Sequence, residues 1–234
     1  MTLLSEVIAG AGEFNQALTS ASPREVIATA LQTVGRDKLA LVSSFGTESA
    51  ALLAVMAEVD AAIPVLFLDT GWMFEETLAY REQLIATLGL RDVRTLRPDE
   101  ATLAAQDSDG DLWSTDPDTC CQIRKVEPLA QALAPFAGWM NGRKRFQGTS
   151  RAAIPVVEAD GARLKFNPFA NASLEDIKAI YTSANLPPHP LITAGFRSVG
   201  CMPCTTRTMA HEDARAGRWR GQAKIECGIH KVSS

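Results

Sequence analysis

Three short apolar runs, each followed by a stretch of helical composition, set the tightest limit on what this chain can fold into. "LALVSS" (Leu39–Ser44) turns at Phe45-Gly46 into "ESAALLAVMAEV", and "IPVLFLDT" (Ile63–Thr70) leads into "MFEETLAYREQLIATLG"; "VRTLRP" makes a third run. Strands alternating with helices of about a dozen residues indicate a parallel sheet with right-handed crossovers. The expected class is therefore α/β, a twisted parallel sheet flanked by helices. Ligands of such sheets bind beyond the carboxyl ends of the strands. Two turns fall at such ends, Ser43–Ser49 and Asp69–Trp72.

The rest of the chain fits around that frame. Residues 1–37 read as a helical lead-in, with Ser22 as an N-cap, Pro23 at the first helical position and Gly35 as a stop. "GWMNGR" is a further strand candidate, and "LEDIKAIYTSANLPP" is a late helix ended by prolines. Beyond about Leu191, Gly, Pro, Cys and Arg dominate and regular structure should thin out. The expectation is one domain over 1–234: the lead-in, a nucleotide-binding core over 38–190, and an irregular lid over 191–234. At 46% hydrophobic and 21% charged residues the chain has the profile of a soluble globular protein. Its net charge of −4 argues against nucleic-acid binding as a main purpose. No apolar run approaches the roughly 20 residues of a membrane helix. An early Glu6 and no basic n-region speak against a signal peptide, which makes the cytoplasm the expected compartment.

Five cysteines are an odd number, so at least one stays unpaired in any disulfide scheme. Cys120-Cys121 and Cys201-x-x-Cys204 form two pairs that together make four ligands for one centre. Three readings compete. Tetrahedral zinc is awkward for adjacent cysteines. A redox dithiol at Cys201/Cys204 would normally open a helix after a strand, and "GCMPCTT" does not. An iron–sulfur cube is wider, so neighbouring cysteines can reach different irons. The fifth, Cys227 in "KIECGIH", sits near the end of the chain. Lys224, His230 and upstream arginines are placed to favour its thiolate, and Glu226 to oppose it. "SSFGTES", small residues between strand and helix, suits a phosphate, but lacks the Gly-Lys-Ser/Thr ending of a Walker loop.

The turn "SSFGTES", then "TCCQIRK", "GCMPCT", "ARAGRW" and "KIECGIH" in this order, resembles the assimilatory adenylyl-sulfate (APS) reductases of the sulfonucleotide reductase family over Leu39 to His230. The turn also resembles the pyrophosphate loop (PP-loop) of adenine-nucleotide hydrolase-like proteins, with Thr47-Glu48 in place of Lys-Asp. The resemblance implies a [4Fe-4S] cluster on Cys120, Cys121, Cys201 and Cys204. It implies that Cys227 attacks the sulfate sulfur of APS, giving a cysteine S-sulfonate, AMP and then sulfite. Thioredoxin or glutaredoxin would be the reductant and the assembly a homo-oligomer. It places Lys125 between cluster and substrate and puts Arg151, Arg215 and Arg218 on phosphate and sulfate, with His230 completing the lid. Ser44, Phe45, Gly46, Asp69, Thr70, Gly142 and Lys144 are further substrate contacts on this reading. The sequence departs from the family pattern at "NGRKRFQG", where Lys144 takes an arginine slot, Phe146 replaces an acid and Gly148 a serine. Activity on the 3′-phosphorylated substrate PAPS is the alternative, and an ATP-dependent PP-loop sulfur transferase a more remote one.

Overall fold

The computed structural model describes residues 6 and 8–230. Six strands, β1 Leu39–Val42, β2 Val65–Leu68, β3 Val93–Leu96, β4 Gly138–Met140, β5 Val157–Asp160 and β6 Arg163–Phe166, form one sheet in the order β3-β2-β1-β4-β6-β5. Every pairing is parallel except β5 with β6. The three apolar runs read from the sequence are β1, β2 and β3, and "GWM" is β4. Strand order reverses between β1 and β4, and a crevice opens at such a reversal.

Alternation along the strands divides the core in two. Leu39 and Leu41 join Val65, Phe67, Leu164 and Phe166 on one face, against α1 (Ala11–Leu18), α2 (Pro23–Val34), α3 (Ser49–Asp60) and α4 (Glu75–Leu88). Ala40, Val42, Leu66 and Trp139 face the other way, against Leu129 and Leu133 of α8 (Glu127–Leu133) and Phe136. Between β3 and α8 lie α5 (Glu100–Gln106), α6 (Leu112–Thr115) and α7 (Pro117–Cys121). α3 is apolar nearly all round, so it sits inside the layer with Ala50, Ala51, Leu52, Leu53, Ala54 and Met56 buried. At α2 the reciprocal Ser22–Glu25 capping box forms, Pro23 opens the helix and the Gly35 N–H closes on Leu31 O. The late helix, α9 (Leu174–Ser183), starts from a second capping box between Ser173 and Asp176.

The β5–β6 hairpin is absent from the sequence reading. Each strand is only four residues long, too short for the polar–apolar alternation of Arg163-Leu164-Lys165-Phe166 to stand out, and Lys165, which that alternation would turn to solvent, is in fact 1% exposed. The turn signal was there: Asp160-Gly161, with Gly161 at φ +58.

From Pro190 on, the described residues hold only two 3₁₀ turns, Pro190–Ile192 and Met202–Cys204, and two isolated bridges. One bridge, Met73 to Cys201, ties this segment to the turn after β2, where the Met202 N–H donates to Trp72 O at 2.7 Å. The other joins Thr205 to Arg218, and the Thr206 N–H donates to Gly217 O at 2.8 Å. The strands touch so closely here that a Cβ on Gly217 would overlap the Thr206 carbonyl. Among the described residues no helix is long and apolar enough to cross a membrane.

Candidate active site

A cleft of about 1010 Å³ opens over the carboxyl ends of β1 and β4, where the strand order reverses. On the β1 side it is floored by Ser44 and Gly46 of the turn "SSFGTES". Inside that turn the Phe45 N–H donates to Ser43 Oγ at 3.2 Å and the Gly46 N–H to Ser49 Oγ at 2.9 Å. These two amides are thus engaged by the turn's own hydroxyls and are not free for a phosphate. Phe45 itself takes the left-handed conformation (φ 49) and drives its ring into the core, edge-on to Phe67 at 5.5 Å. Its side chain is no substrate contact; burial explains why a bulky residue tolerates that backbone. Asp69 also lies off the cleft wall, its carboxylate accepting from the Gly71 N–H and pairing with Arg97 at 3.3 Å. Thr70, next to it, does line the cleft.

Behind the cleft, the four paired cysteines converge. α7 is capped by Asp116, which accepts the Thr119 N–H at 3.1 Å, and presents Cys120 and Cys121 inward. The helix then widens into a π-turn over Gln122–Val126, which buries Ile123, Arg124 and Lys125 together. Such turns re-aim side chains and recur at functional sites. Cys120, Cys121, Cys201 and Cys204 are 4–8% exposed, all free thiols, and line one small cavity with Trp72 and Trp113. Among the described residues no three His, Cys, Asp or Glu side chains are spaced for a single metal ion. Burial pushes the Cys120 thiol up to about 12 and raises Cys121 and Cys204 too. Cys201 differs. Burial opposes its ionisation, but Lys125, the Thr70 hydroxyl at 3.2 Å and Arg218 outweigh it and hold its pKa below the usual thiol value. Lys125 lines both this cavity and the cleft. Burial alone would strip its proton; the Cys201, Cys227 and Cys121 sulfurs reverse that and raise its pKa. Arg124 braces the cage from behind, forking onto the fully buried Asp107 and donating to Thr70 O at 2.8 Å.

Of the tail, Glu226, Cys227, Ile229 and His230 line the cleft. Cys227 packs beside Cys121, Cys201, Cys204 and Trp219. Lys125 and Arg215, an upstream arginine of the kind expected, lie within electrostatic reach of its sulfur. The two expected neighbours on the tail itself do otherwise. Lys224 pairs with Asp118. His230 stacks flat on Trp139 (5.9 Å, 4°), and burial together with Arg143, Lys165, Arg151 and Arg215 pushes its pKa well below the ordinary value, so the imidazole is neutral and supplies no positive charge. Glu226 does not face the thiol either. It is forked by Arg151 at 2.6 and 2.8 Å and reached by Arg215 at 3.2 Å. From there a chain of polar contacts runs back to the β1 turn: Arg151 to Gln147 (2.6 Å), Gln147 to Glu48 (2.8 Å), Glu48 to Lys144 (2.8 Å). Arg218 stacks over Trp219 at 4.6 Å with its Nε buried and unpartnered, and Gly200 leaves the room its guanidinium needs.

Residues 38–207 match the phosphoadenosine phosphosulfate reductase domain family. The chain belongs to that family. An adenosine 5'-phosphosulfate reductase of Mesorhizobium japonicum is 50% identical over 89% of this chain and 82% of the relative. A phosphoadenosine 5'-phosphosulfate reductase of Gloeobacter violaceus is 40% identical over 89% and 88%. A solved phosphoadenylyl-sulfate reductase of Candida auris superposes with a TM-score of 0.71 at 24% identity, covering 88% of this chain and 99% of that one, a likeness of fold.

Within this reductase fold, Gly142, Lys144, Arg151, Arg215, Arg218 and His230 all border the one cleft with Cys227. Lys144 is held by Glu48 and by Gly142 O at 3.1 Å, and burial lowers its pKa against the pull of Glu48. The sequence reading passed over Arg143 and Lys165. Arg143 lines the cleft and joins Glu158, Asn141 and Asn167. Lys165 sits over Trp139 at 5.0 Å and donates to His230 O at 3.4 Å. Arg143 carried a signal, a cation just past the carboxyl end of β4; Lys165 carried none, since β3 and β5 hold charged residues as well.

Proposed function

We propose that the protein reduces adenosine 5′-phosphosulfate to sulfite and AMP, as a step of sulfate assimilation, with Cys227 as nucleophile. The observation that carries this reading is the tail itself: the one cysteine outside the cage is delivered into a cleft lined by Lys125, Arg151, Arg215 and Arg218. A thiolate meeting a dianionic sulfonucleotide faces repulsion, and a wall of fixed cations offsets it. Lys125 borders both the cage and the cleft, so its charge stands between the two.

The Cys227 Sγ lone pair attacks the sulfate sulfur, an S–S bond forms, and the S–O bond to phosphate breaks with its electron pair leaving on AMP. The enzyme then carries Cys–S–SO₃⁻. One thiolate of a dithiol protein, thioredoxin or glutaredoxin, attacks Cys227 Sγ and releases sulfite, and its second thiol resolves the mixed disulfide, supplying the two electrons. Arg151, Arg215 and Arg218 would hold the phosphate and sulfo oxygens, guanidinium forks being matched to oxyanions.

The cysteine cage fits a [4Fe-4S] cluster. Four buried free thiols border one cavity, and the Nε1 groups of Trp72 and Trp219, buried without a partner, are donors of the kind that face cluster sulfur. Cys120, Cys121, Cys201 and Cys204 would hold it. When bound, a cluster supplies a covalent link between α7 and the C-terminal segment and a fixed charge beside Lys125. Free thiols of this kind persist in a reducing compartment, which favours the cytoplasm. The relative from Gloeobacter keeps PAPS as a second substrate reading.

Anaerobic incubation with APS and no reductant, followed by intact-mass analysis, tests the scheme. A gain of one SO₃ group mapped to Cys227 is expected, and a modified protein with the group elsewhere refutes it. Comparing kcat/KM for APS and PAPS decides between the two substrates.

A further inference from the structure

The chain brings its own anion to the arginines proposed to hold the substrate. Glu226 is clasped by Arg151 through Nε and Nη2 at 2.6 and 2.8 Å, the two-point fork by which a guanidinium also takes a phosphate or sulfo group. Arg215 adds a contact to Oε2 at 3.2 Å and a second to Ile225 O at 3.1 Å. All three side chains line the cleft, and none of the three is a distant surface pair: Arg151 and Arg215 side chains are 10% and 17% exposed. The residue that follows Glu226 is Cys227. A carboxylate and a substrate oxyanion cannot share one fork. One of the contacts that hold the tail down, beside the Lys224–Asp118 pair and the His230–Trp139 stack, is therefore what substrate must displace.

We propose that Glu226 is an internal competitor for the nucleotide's anionic group, so that the tail latch and nucleotide binding exclude each other at Arg151 and Arg215. The inference rests on the reading of this cleft as the site of a nucleotide anion. Entry of the anion breaks the latch one residue from Cys227. The tail is thereby freed to re-seat its thiol against a bound substrate, and afterwards to present the modified thiol outward. Glu226 is a positioning residue in this account; it touches no reacting atom. Its substitution should therefore strengthen ground-state binding, the opposite of what loss of a supporting contact does.

The probes are AMP and adenosine, which differ by the anion alone, measured by calorimetry on the holoprotein and on Glu226→Gln. The expected result is AMP affinity about tenfold tighter in the variant, within the usual range of coupling between two mutually exclusive events, with adenosine affinity unchanged. AMP binding that is unchanged or weaker in the variant overturns the proposal and makes Glu226 a scaffold for the arginines. Equal tightening for AMP and adenosine also overturns it, because that is a general opening of the cleft. If the wild-type protein binds neither, the nucleotide reading of the cleft fails, and the competitor with it. A second measurement needs no variant: tryptic cleavage after Lys224, followed by mass, should quicken in the wild type when AMP is added. No change, or protection, sinks the latch.

Discussion

Residues before and after His189 are held by different forces. In the first region, strands such as Leu39–Val42 are buried along their whole length, and α3 is embedded within the layer. In the second, backbone pairing shrinks to two bridges, and side-chain cations take over the work. Arg197 Nη1 donates to the carbonyls of Met209, Ala210 and Glu212, and Arg220 forks onto Glu212 at 2.8 and 2.9 Å. Met202, Met209 and Ile225 are 50%, 67% and 64% exposed, and what the segment does bury, Leu191, Val199 and Trp219 with the cage cysteines, is a small satellite of the main core. Apolar burial is non-directional and hard to undo locally; a carboxylate held by guanidinium forks at the mouth of a cleft would, on the proposal above, yield to an anion that takes the same forks. The protein thus keeps its stability in one region and its movable chemistry in the other.

Cys227→Ser tests that division at its sharpest. Sulfite release should fall by roughly 10⁴-fold or more, as when a lone nucleophile is removed, while the thermal midpoint, and the absorbance of the cluster proposed for the cage, stay in place. A variant that still turns over would remove Cys227 from the chemistry. Leu53→Ala probes the other side. Leu53 is fully buried in α3, and truncation should cost about 3 kcal/mol in chemical denaturation, with kcat of the folded protein near normal. A fall in kcat matching the loss of stability would show that the two regions are not separable.

The unequal legibility of the sequence follows the same line. Composition and capping carried α2, α3, α4 and α9 and four of the five mutually parallel strands, because apolar burial writes itself into composition: Ser22, Pro23 and Gly35 mark α2 as plainly in the chain as in space. The short helices α5 to α8 and strand β6 went unread. The cysteines were legible by spacing. The electrostatics of the tail were not. From "KIECGIH" alone Lys224 and His230 flank the thiol, yet Lys224 turns to Asp118 and His230 is buried neutral on Trp139, pairings set by residues over 90 positions away. Glu226 finding Arg151 is of the same kind. Charge partners are chosen by tertiary placement, and nothing local records them.

Arg218→Lys sharpens the comparison inside the second region. The lysine keeps the charge and loses the planar stack on Trp219 and the fork. A drop of about 10- to 100-fold in kcat/KM is expected, carried mostly by KM, since Arg and Lys are not equivalent at a stacked oxyanion site. Unchanged kinetics would reduce Arg218 to a general positive charge.

The smallest effect lies at the seam. His189 is fully buried where the regular fold ends; its Nδ1 accepts the Leu191 N–H at 3.2 Å and opens the Pro190–Ile192 turn, and its Nε2 reaches Thr77 of α4 at 3.1 Å. Burial pushes its pKa down from 6.5 to about 4, against a weaker opposing pull from Glu76. The unfolded chain therefore binds a proton that the folded one refuses. Stability from this group is complete above pH 6.5 and is lost as pH falls from there toward 4. Between pH 7 and 5.5 the loss should be about 1 kcal/mol, or a midpoint lowered by roughly 2–4 °C in a chain of this size. His189→Asn keeps an acceptor for the Leu191 N–H and cannot titrate, so its midpoint should start lower and move less over that interval. If acid instead produces two transitions, the C-terminal segment releasing before the sheet melts, then His189 pins one region to the other and the two have separate stabilities. A single transition whose pH dependence survives in His189→Asn would place the acid sensitivity on another group.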